Sequence, residues 1–178
     1  MFGLVLEGGG AKGAYQIGAW KALRELGIDI KGVAGTSVGA LNGAMIVQND
    51  FDKAYEVWHD ISFSKILKID EEMINRIKEG EISPENFRHL IKSIRELFLD
   101  RGLDVTPLRQ LLNNVICEDK IRSSGKDFGI VTVALSDLKP VELYIEDIPK
   151  GKLVDYLMAS ANLPVFKMDK IDGKLFID

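Results

Sequence analysis

The sequence has almost no cysteine, no strong excess of charge and no hydrophobic run long enough to cross a bilayer. Cys117 is the single cysteine among 178 residues, so no intrachain disulfide can form, and a reducing compartment is the simplest context. Because Cys117 ends a helical pattern, we expect a packing thiol. The 23 basic and 27 acidic residues give a net charge of −4. This balance argues against nucleic acid as a partner, which favours a concentrated basic surface.

The N-terminus also lacks the features of a secretory signal peptide. Its first six residues contain no basic region and run directly into Glu7 and a group of glycines. No later apolar stretch reaches the length of a transmembrane helix. We therefore expect a cytoplasmic protein whose contact with a membrane, if any, is peripheral.

The first fifty residues alternate between strand and helix patterns. Short apolar runs predict strands at residues 2–6 and 32–34, and helical spacing predicts helices over residues 14–26 and 38–47. This order predicts a parallel sheet with right-handed crossovers.

The rest of the chain separates into a helical part and a second group of strands. Residues 51–116 carry helical patterns, with apolar stripes over 87–98 and 108–116 and a predicted N-cap at Thr106 before Pro107. Strand patterns follow at 128–135, 141–145 and 174–177, with a helix over 153–161 between them. We expect an α/β fold with a mostly parallel central sheet and helices on both faces.

A nucleophile-elbow motif, G-T-S-V-G, connects the second strand to the second helix. In this motif a serine, here Ser37, lies on a sharp turn at the end of a strand. The flanking Gly35 and Gly39 leave room for the strand and helix to pass closely, and the helix dipole favours negative charge beside the serine. The alternative is an ordinary strand-to-helix turn in which Ser37 caps the helix.

A glycine-rich loop connects the first strand to the first helix. It consists of Gly8, Gly9, Gly10, Ala11, Lys12 and Gly13. The pattern also fits the dinucleotide-binding fingerprint, so a Rossmann-type module is a rival prediction. That fingerprint requires an acidic residue at the end of the second strand, where this chain has the elbow instead. Backbone amides of such a loop can instead turn toward an oxyanion.

Taken together, the two motifs resemble those of the patatin-like phospholipase family. That family pairs a G-G-G-x-[RK]-G loop with a G-x-S-x-G elbow and ends its core in an aspartate within a D-G-[GA] motif. The stretch A-S-A-N-L-P-V-F at residues 159–166 is similar to the segment before that aspartate, and K-L-F-I-D at 174–178 to the strand that presents it. The segment at 103–109 is also similar to the family's middle region.

The resemblance implies a three-layer patatin-like fold and a serine–aspartate dyad. Ser37 would be the nucleophile and Asp178 the proton acceptor, while the loop from Gly8 to Gly13 would form the oxyanion hole. A Ser-His-Asp triad would need a positioned imidazole, but His59 and His89 both lie outside any motif. No metal or organic cofactor is implied.

Two departures from the family pattern concern Lys12 and the end of the chain. Lys12 stands where many members have arginine, so it keeps the charge but lacks the planar donor fork. The glycines expected after Asp178 are absent, and Asp172-Gly173 is better explained as a turn between strands. We therefore expect residues 1–178 to form a single patatin-like domain that is truncated at its C-terminal side.

The predicted function is hydrolysis of carboxylic esters in lipids, of the phospholipase A, lysophospholipase or esterase type. The partner would be a lipid or phospholipid substrate. The alternatives are a nucleotide-binding Rossmann-type module and a catalytically inactive lipid-binding fragment.

Overall fold

The computed structural model describes residues 2–68 and 102–178, which form a central sheet with helices around it. Each of the first two strands is followed by a helix, as the alternating sequence pattern of the first fifty residues predicts. In chain order the elements are β1 (Phe2–Leu6), a 3-10 turn (Gly10–Lys12), α1 (Gly13–Glu25), β2 (Ile30–Thr36), α2 (Val38–Val47), α3 (Phe51–Asp60), α4 (Phe63–Ile66), α5 (Thr106–Val115), α6 (Glu118–Arg122), β3 (Asp127–Ala134), β4 (Lys139–Tyr144), α7 (Leu153–Ser160) and β5 (Phe176–Ile177).

The sheet has the order β1-β2-β3-β4, in which the first three strands are parallel and β4 is antiparallel to β3. The register of β2 with β3 ends at the pair Thr36 and Val131. Beyond that point β5 pairs antiparallel with Val133 and Ala134 of β3. Because β4 already occupies the other edge of β3, β5 must continue the position of β2. This topology brings the end of β5 toward the end of β2.

The helix α2 packs against the sheet face that carries the largest buried side chains. All of its residues except Leu41 are buried, and Phe128 of β3, which is fully buried, lies beneath it. A Cβ at Gly43 would lie 3.1 Å from both the Phe128 ring and the Val33 side chain. Small residues therefore let the helix lie close to the sheet, which fixes the direction of its N-terminus.

The predicted α/β fold with a mostly parallel central sheet is confirmed, and helices surround that sheet. The second helix has the predicted bounds, whereas the first helix and the strand at 127–134 begin and end one residue earlier than predicted. The short hairpin turn at Asp172 and Gly173 is present, with both residues at positive φ. The predicted apolar stripe over residues 87–98 and His89 lie outside the described residues.

Two local predictions are wrong. The N-cap of α5 is Val105 rather than Thr106, because the Asp104 carboxylate accepts the Thr106 backbone N–H at 2.8 Å and turns the chain one residue earlier. Hydrogen bonds from Thr106 also hold the pKa of Asp104 below its ordinary value. The second wrong prediction is the packing thiol, because Cys117 is exposed. It lies between α5 and α6, where its backbone N–H, rather than its thiol, fixes it by donating to Gln48 Oε1.

The start of α2 packs directly against the end of β1, which leaves no room for a side chain at Gly39. A Cβ at Gly39 would clash with the Leu6 carbonyl and would lie 2.7 Å from the Glu7 carbonyl oxygen. We expect Gly39→Ala to lower the free energy of unfolding by about 3 kcal/mol, because backbone atoms cannot yield as a side chain would.

The matched control is Gly18→Ala in the middle of α1, where an added Cβ meets nothing within 4 Å. This change should raise stability by up to about 1 kcal/mol through helix propensity. Urea unfolding of both variants checks the prediction. Equal effects of the two substitutions would contradict it.

Candidate active site

Ser37 lies at the bend between β2 and α2 with a backbone conformation that side chains seldom adopt. Its φ is 52° and its ψ is −132°, and it is 8% exposed. A non-glycine residue at positive φ stores strain that the surrounding structure must enforce, and such residues concentrate at functional sites. The Ser37 side chain makes no capping hydrogen bond to α2. The geometry therefore does not support the alternative in which Ser37 is a simple helix cap.

The two glycines of the elbow lie against each other across this bend. A Cβ at Gly35 would clash with the backbone of Gly39 and would lie 2.6 Å from the Ala40 nitrogen. Strand and helix can therefore meet at this angle only with hydrogen at Gly35. The result is that the N-terminal end of α2 points at Ser37.

The glycine loop runs directly beside the Ser37 side chain. A Cβ at Gly8 would lie 3.1 Å from the Ser37 Cβ and 3.7 Å from its Oγ. Gly9 and Gly10 both have positive φ, of 146° and 55°. Together with Ala11, these two glycines line the same cavity as Ser37. The structure thus brings the two glycine-containing motifs of the sequence into one site.

The last two residues of the loop have different surroundings from the first four. Lys12 is exposed, whereas Gly13 is buried where α1 begins. A Cβ at Gly13 would lie 2.6 Å from the Trp58 ring of α3. Gly13 is therefore a point of close packing between α1 and α3.

A buried amide on α2 fixes the loop at both ends. Asn42 donates through Nδ2 to the Gly13 carbonyl at 3.0 Å and to Gln16 Oε1 at 2.8 Å, and its Oδ1 accepts the Trp58 indole N–H at 2.8 Å. Gln16 in turn donates to the Glu7 carbonyl at 2.8 Å. These bonds connect the residue before the loop to the residue that ends it, so the loop is held by side chains that sequence reasoning did not identify.

Asp178 reaches the same cavity from the opposite direction. It follows β5, and its backbone N–H donates to the Asn162 carbonyl at 2.9 Å. Ser37 and Asp178 both line the cavity. The competing Asp172 accepts a hydrogen bond from the Tyr156 hydroxyl at 3.3 Å. Burial, followed by the charge of Asp172, raises the pKa of Tyr156.

Ser160 is a second buried serine at the site and was not singled out from the sequence. It is fully buried, and its Oγ accepts the Ser37 backbone N–H at 2.8 Å while donating to the Val131 carbonyl at 2.6 Å. The A-S-A-N-L-P stretch that contains Ser160 was the available signal, but the stretch alone assigns no partner to the hydroxyl.

The cavity beside Ser37 has a volume of about 790 Å³, within the range of small-molecule sites. Its walls are almost entirely apolar and come from α2, α3, the segment that follows α3, α5 and the residues after α7. Representative lining residues are Leu41, Met45, Trp58, Leu112 and Phe166.

Histidine and metal ligands do not contribute to this site within the described residues. His59 lies on α3 with 75% of its side chain exposed, and its nearest acidic partner is Asp60 at 3.9 Å. No group of three or more potential metal ligands occurs in residues 2–68 and 102–178. In the same residues, no helix is both long and apolar enough to cross a bilayer.

Comparison with curated proteins finds short, strongly similar segments in much longer chains. The chain is 55% identical over 47 residues to a lysophospholipase, nte1, from Aspergillus terreus, and 60% identical over 43 residues to the neuropathy target esterase sws of Drosophila persimilis. These segments cover 26% and 24% of this chain and 3% of each relative. The chain therefore corresponds to a small part of those proteins.

Among solved structures, VipD from Legionella pneumophila has a similar fold, with a TM-score of 0.60 and 17% sequence identity. The match covers 99% of this chain and 45% of VipD. The Patatin-like phospholipase family matches residues 4–178, which include the glycine loop, the elbow and Asp178. Since that match spans almost the whole sequence, the chain belongs to the patatin-like phospholipase family.

Proposed function

We propose that this protein hydrolyses carboxylic esters of lipids through an acyl-enzyme formed on Ser37. The observation that carries the proposal is that Ser37, the glycine loop and Asp178 line one large apolar cavity. A serine on a strained turn, a carboxylate and a loop of backbone amides are the components that acyl transfer requires. The names of the curated relatives, a lysophospholipase and an esterase, support the same class of substrate.

In the proposed reaction Asp178 accepts the proton of the Ser37 hydroxyl as its Oγ attacks the ester carbonyl. The carbonyl oxygen becomes an oxyanion, and its collapse expels the alcohol, which takes the proton back from Asp178. Water, deprotonated by the same carboxylate, then attacks the acyl-enzyme and releases the fatty acid. The free hydroxyl of Ser37 is restored, so the cycle needs no metal or organic cofactor.

The oxyanion would be held by amides of the loop from Gly8 to Lys12. The 3-10 turn begins at Gly10, and the first amides of a helical turn have no partner within it. The N-terminus of α2 adds its partial positive charge next to Ser37. An apolar lining strengthens both effects because it lowers the local dielectric constant below that of water.

The cavity would hold the acyl chain, and α2 shows its direction. Val38, Leu41 and Met45 line the cavity at helical spacing, so it extends along α2 away from Ser37. Met45 is seven residues beyond Val38, which corresponds to about 10 Å of helix. A lipid substrate would also bring the protein to a membrane surface, so we propose peripheral membrane contact rather than insertion.

The first test concerns the two proposed catalytic residues. We expect Ser37→Ala and Asp178→Asn each to lower kcat on a p-nitrophenyl ester by at least about 10³-fold, because each removes one partner of the dyad. Asp172→Asn is the control, since it changes a nearby carboxylate that contacts Tyr156 instead.

A fluorophosphonate should label the parent chain on Ser37 and leave Ser37→Ala unlabelled. Full turnover in either dyad variant would remove that residue from the mechanism. Saturable NAD binding without esterase activity would favour the Rossmann-type alternative.

The second test concerns the oxyanion loop. Gly10 has φ 55° and an added Cβ meets nothing within 4 Å, and the same holds for Gly27, where φ is 66°, at the end of α1. Alanine at either position should cost about 1 kcal/mol of stability through backbone strain. Only Gly10→Ala should lower kcat, by about 10²-fold, because it displaces an amide near the oxyanion. Similar kinetics for both variants would exclude Gly10 from the oxyanion hole.

The third test concerns the acyl cavity. We expect Met45→Trp to shift the preference toward shorter acyl chains, because the larger ring fills the cavity about two turns of α2 away from Ser37. Met45→Leu keeps nearly the same volume and should leave the preference unchanged. The measurement is kcat/KM over a series of p-nitrophenyl esters from acetate to palmitate. An unchanged profile in Met45→Trp would show that the chain binds elsewhere.

A further inference from the structure

One turn of chain at the end of α7 holds both halves of the proposed dyad. Ser160, the last residue of α7, accepts the backbone N–H of Ser37 at 2.8 Å. Two residues later, the Asn162 carbonyl accepts the backbone N–H of Asp178 at 2.9 Å. Ser37 and Asp178 are 141 positions apart in the sequence, yet both attach to this one turn.

On the side of Ser37, the turn ends in the fully buried Ser160, whose hydroxyl both accepts and donates a hydrogen bond. Ser160 Oγ accepts from Ser37 and donates to the Val131 carbonyl at 2.6 Å, so the hydroxyl bridges the elbow and β3. Ser37 precedes the first turn of α2, so its amide has no acceptor within the helix and needs a partner outside it. The Ser160 hydroxyl is this partner, so the Ser37 amide is hydrogen-bonded without a bridging water.

On the side of Asp178, hydrogen bonds of Asn162 and Thr132 hold the turn and β5 together. Asn162 is 9% exposed, and its side chain donates through Nδ2 to the Phe176 carbonyl at 2.9 Å, while its backbone carbonyl accepts the Asp178 backbone N–H. Asn162 therefore bonds to the first residue of β5 and to the residue that follows β5. The Thr132 hydroxyl lies 2.9 Å from the Ile177 carbonyl and 3.2 Å from the Ala159 carbonyl, which attaches β5 and α7 to β3.

We propose that Ser160 and Asn162 are positioning residues that set the distance between the Ser37 hydroxyl and the Asp178 carboxylate. The proposal rests on the function proposed above, since it assumes that these two groups exchange a proton. Neither residue is among those that line the cavity beside Ser37. Their effect is exerted on the backbone of the two residues that do, and proton transfer requires those groups within hydrogen-bond reach.

The test is a double-mutant cycle between Ser160 and Asp178, measured as kcat and KM on a p-nitrophenyl ester. Ser160→Ala should lower kcat by about 10²-fold with little change in KM, as expected for a small displacement of a reacting group. In an Asp178→Asn background the same substitution should lower the residual kcat by less than about threefold, because no base remains to be aligned. A purely structural role would give equal losses in both backgrounds and would overturn the proposal.

The matched control is Glu118→Ala, which loosens the other end of the same helix. The Glu118 carboxylate accepts the backbone N–H groups of Gly151 at 3.0 Å and Leu153 at 3.3 Å, at the start of α7. This variant should lose thermal stability while its kcat stays within about twofold of the parent chain. A loss of kcat as large as that of Ser160→Ala would show that general loosening of α7, rather than the Ser160 bond, controls turnover.

Two further measurements keep the result decisive. If Ser160→Ala does not fold, Thr132→Val tests the bridge from the base side, since it keeps the shape but removes the bond to the Ile177 carbonyl. It should lower kcat by about tenfold, again only when Asp178 is present. Full turnover in Asp178→Asn would remove Asp178 from the proposed mechanism and with it the positioning role, whereas a parent chain without Ser37-dependent esterase activity would refute the proposed function itself. A poor Asp178→Asn together with an unaffected Ser160→Ala would refute only the positioning role.

Discussion

The positive φ of Ser37 is the constraint on which the rest of the site depends. A side chain at φ 52° costs of the order of 1–3 kcal/mol, so the neighbouring structure must enforce it. The close contact of Gly35 with Gly39, the absence of a side chain at Gly8 and the Ser160 hydrogen bond all act on this one turn. Each of these contacts helps to hold Ser37 at the C-terminal end of β2, beside the amides of the loop and the N-terminus of α2.

The topology of the sheet supplies the second half of the site. β3 pairs first with β2 and then, past the end of β2, with the short strand β5. β2 and β5 lie one after the other along the same edge of β3, so the end of β2 and the end of β5 face each other. The chain that follows β5 therefore reaches the elbow. Strand order and register therefore bring Asp178 to the cavity that Ser37 lines, and the turn from Ser160 to Asn162 bonds to the backbone of both residues.

The helix α2 has three roles that follow from its composition. Its small residues let it lie close to the sheet, its N-terminus provides positive potential at Ser37, and the side that carries Val38, Leu41 and Met45 forms a wall of the apolar cavity. Under the proposed function, mutations along α2 are therefore expected to act on stability, on catalysis or on acyl-chain binding according to which side of the helix they change. The membership of the chain in the patatin-like phospholipase family agrees with the proposal that a lipid chain binds next to Ser37.

The sequence by itself determined the local elements and the chemistry-bearing motifs. The alternation of short apolar runs with helical spacing predicted the central sheet and the bounds of α2, because periodicity and glycine positions are local properties of the chain. Only the tertiary structure decided what depends on distant contacts. The partners of Ser160, Asn42 and Asn162 lie between 14 and 123 positions away, and no periodicity encodes such pairs. Local reasoning also failed at Thr106, where the Asp104 carboxylate competed for the backbone, and at Cys117, which packing left exposed.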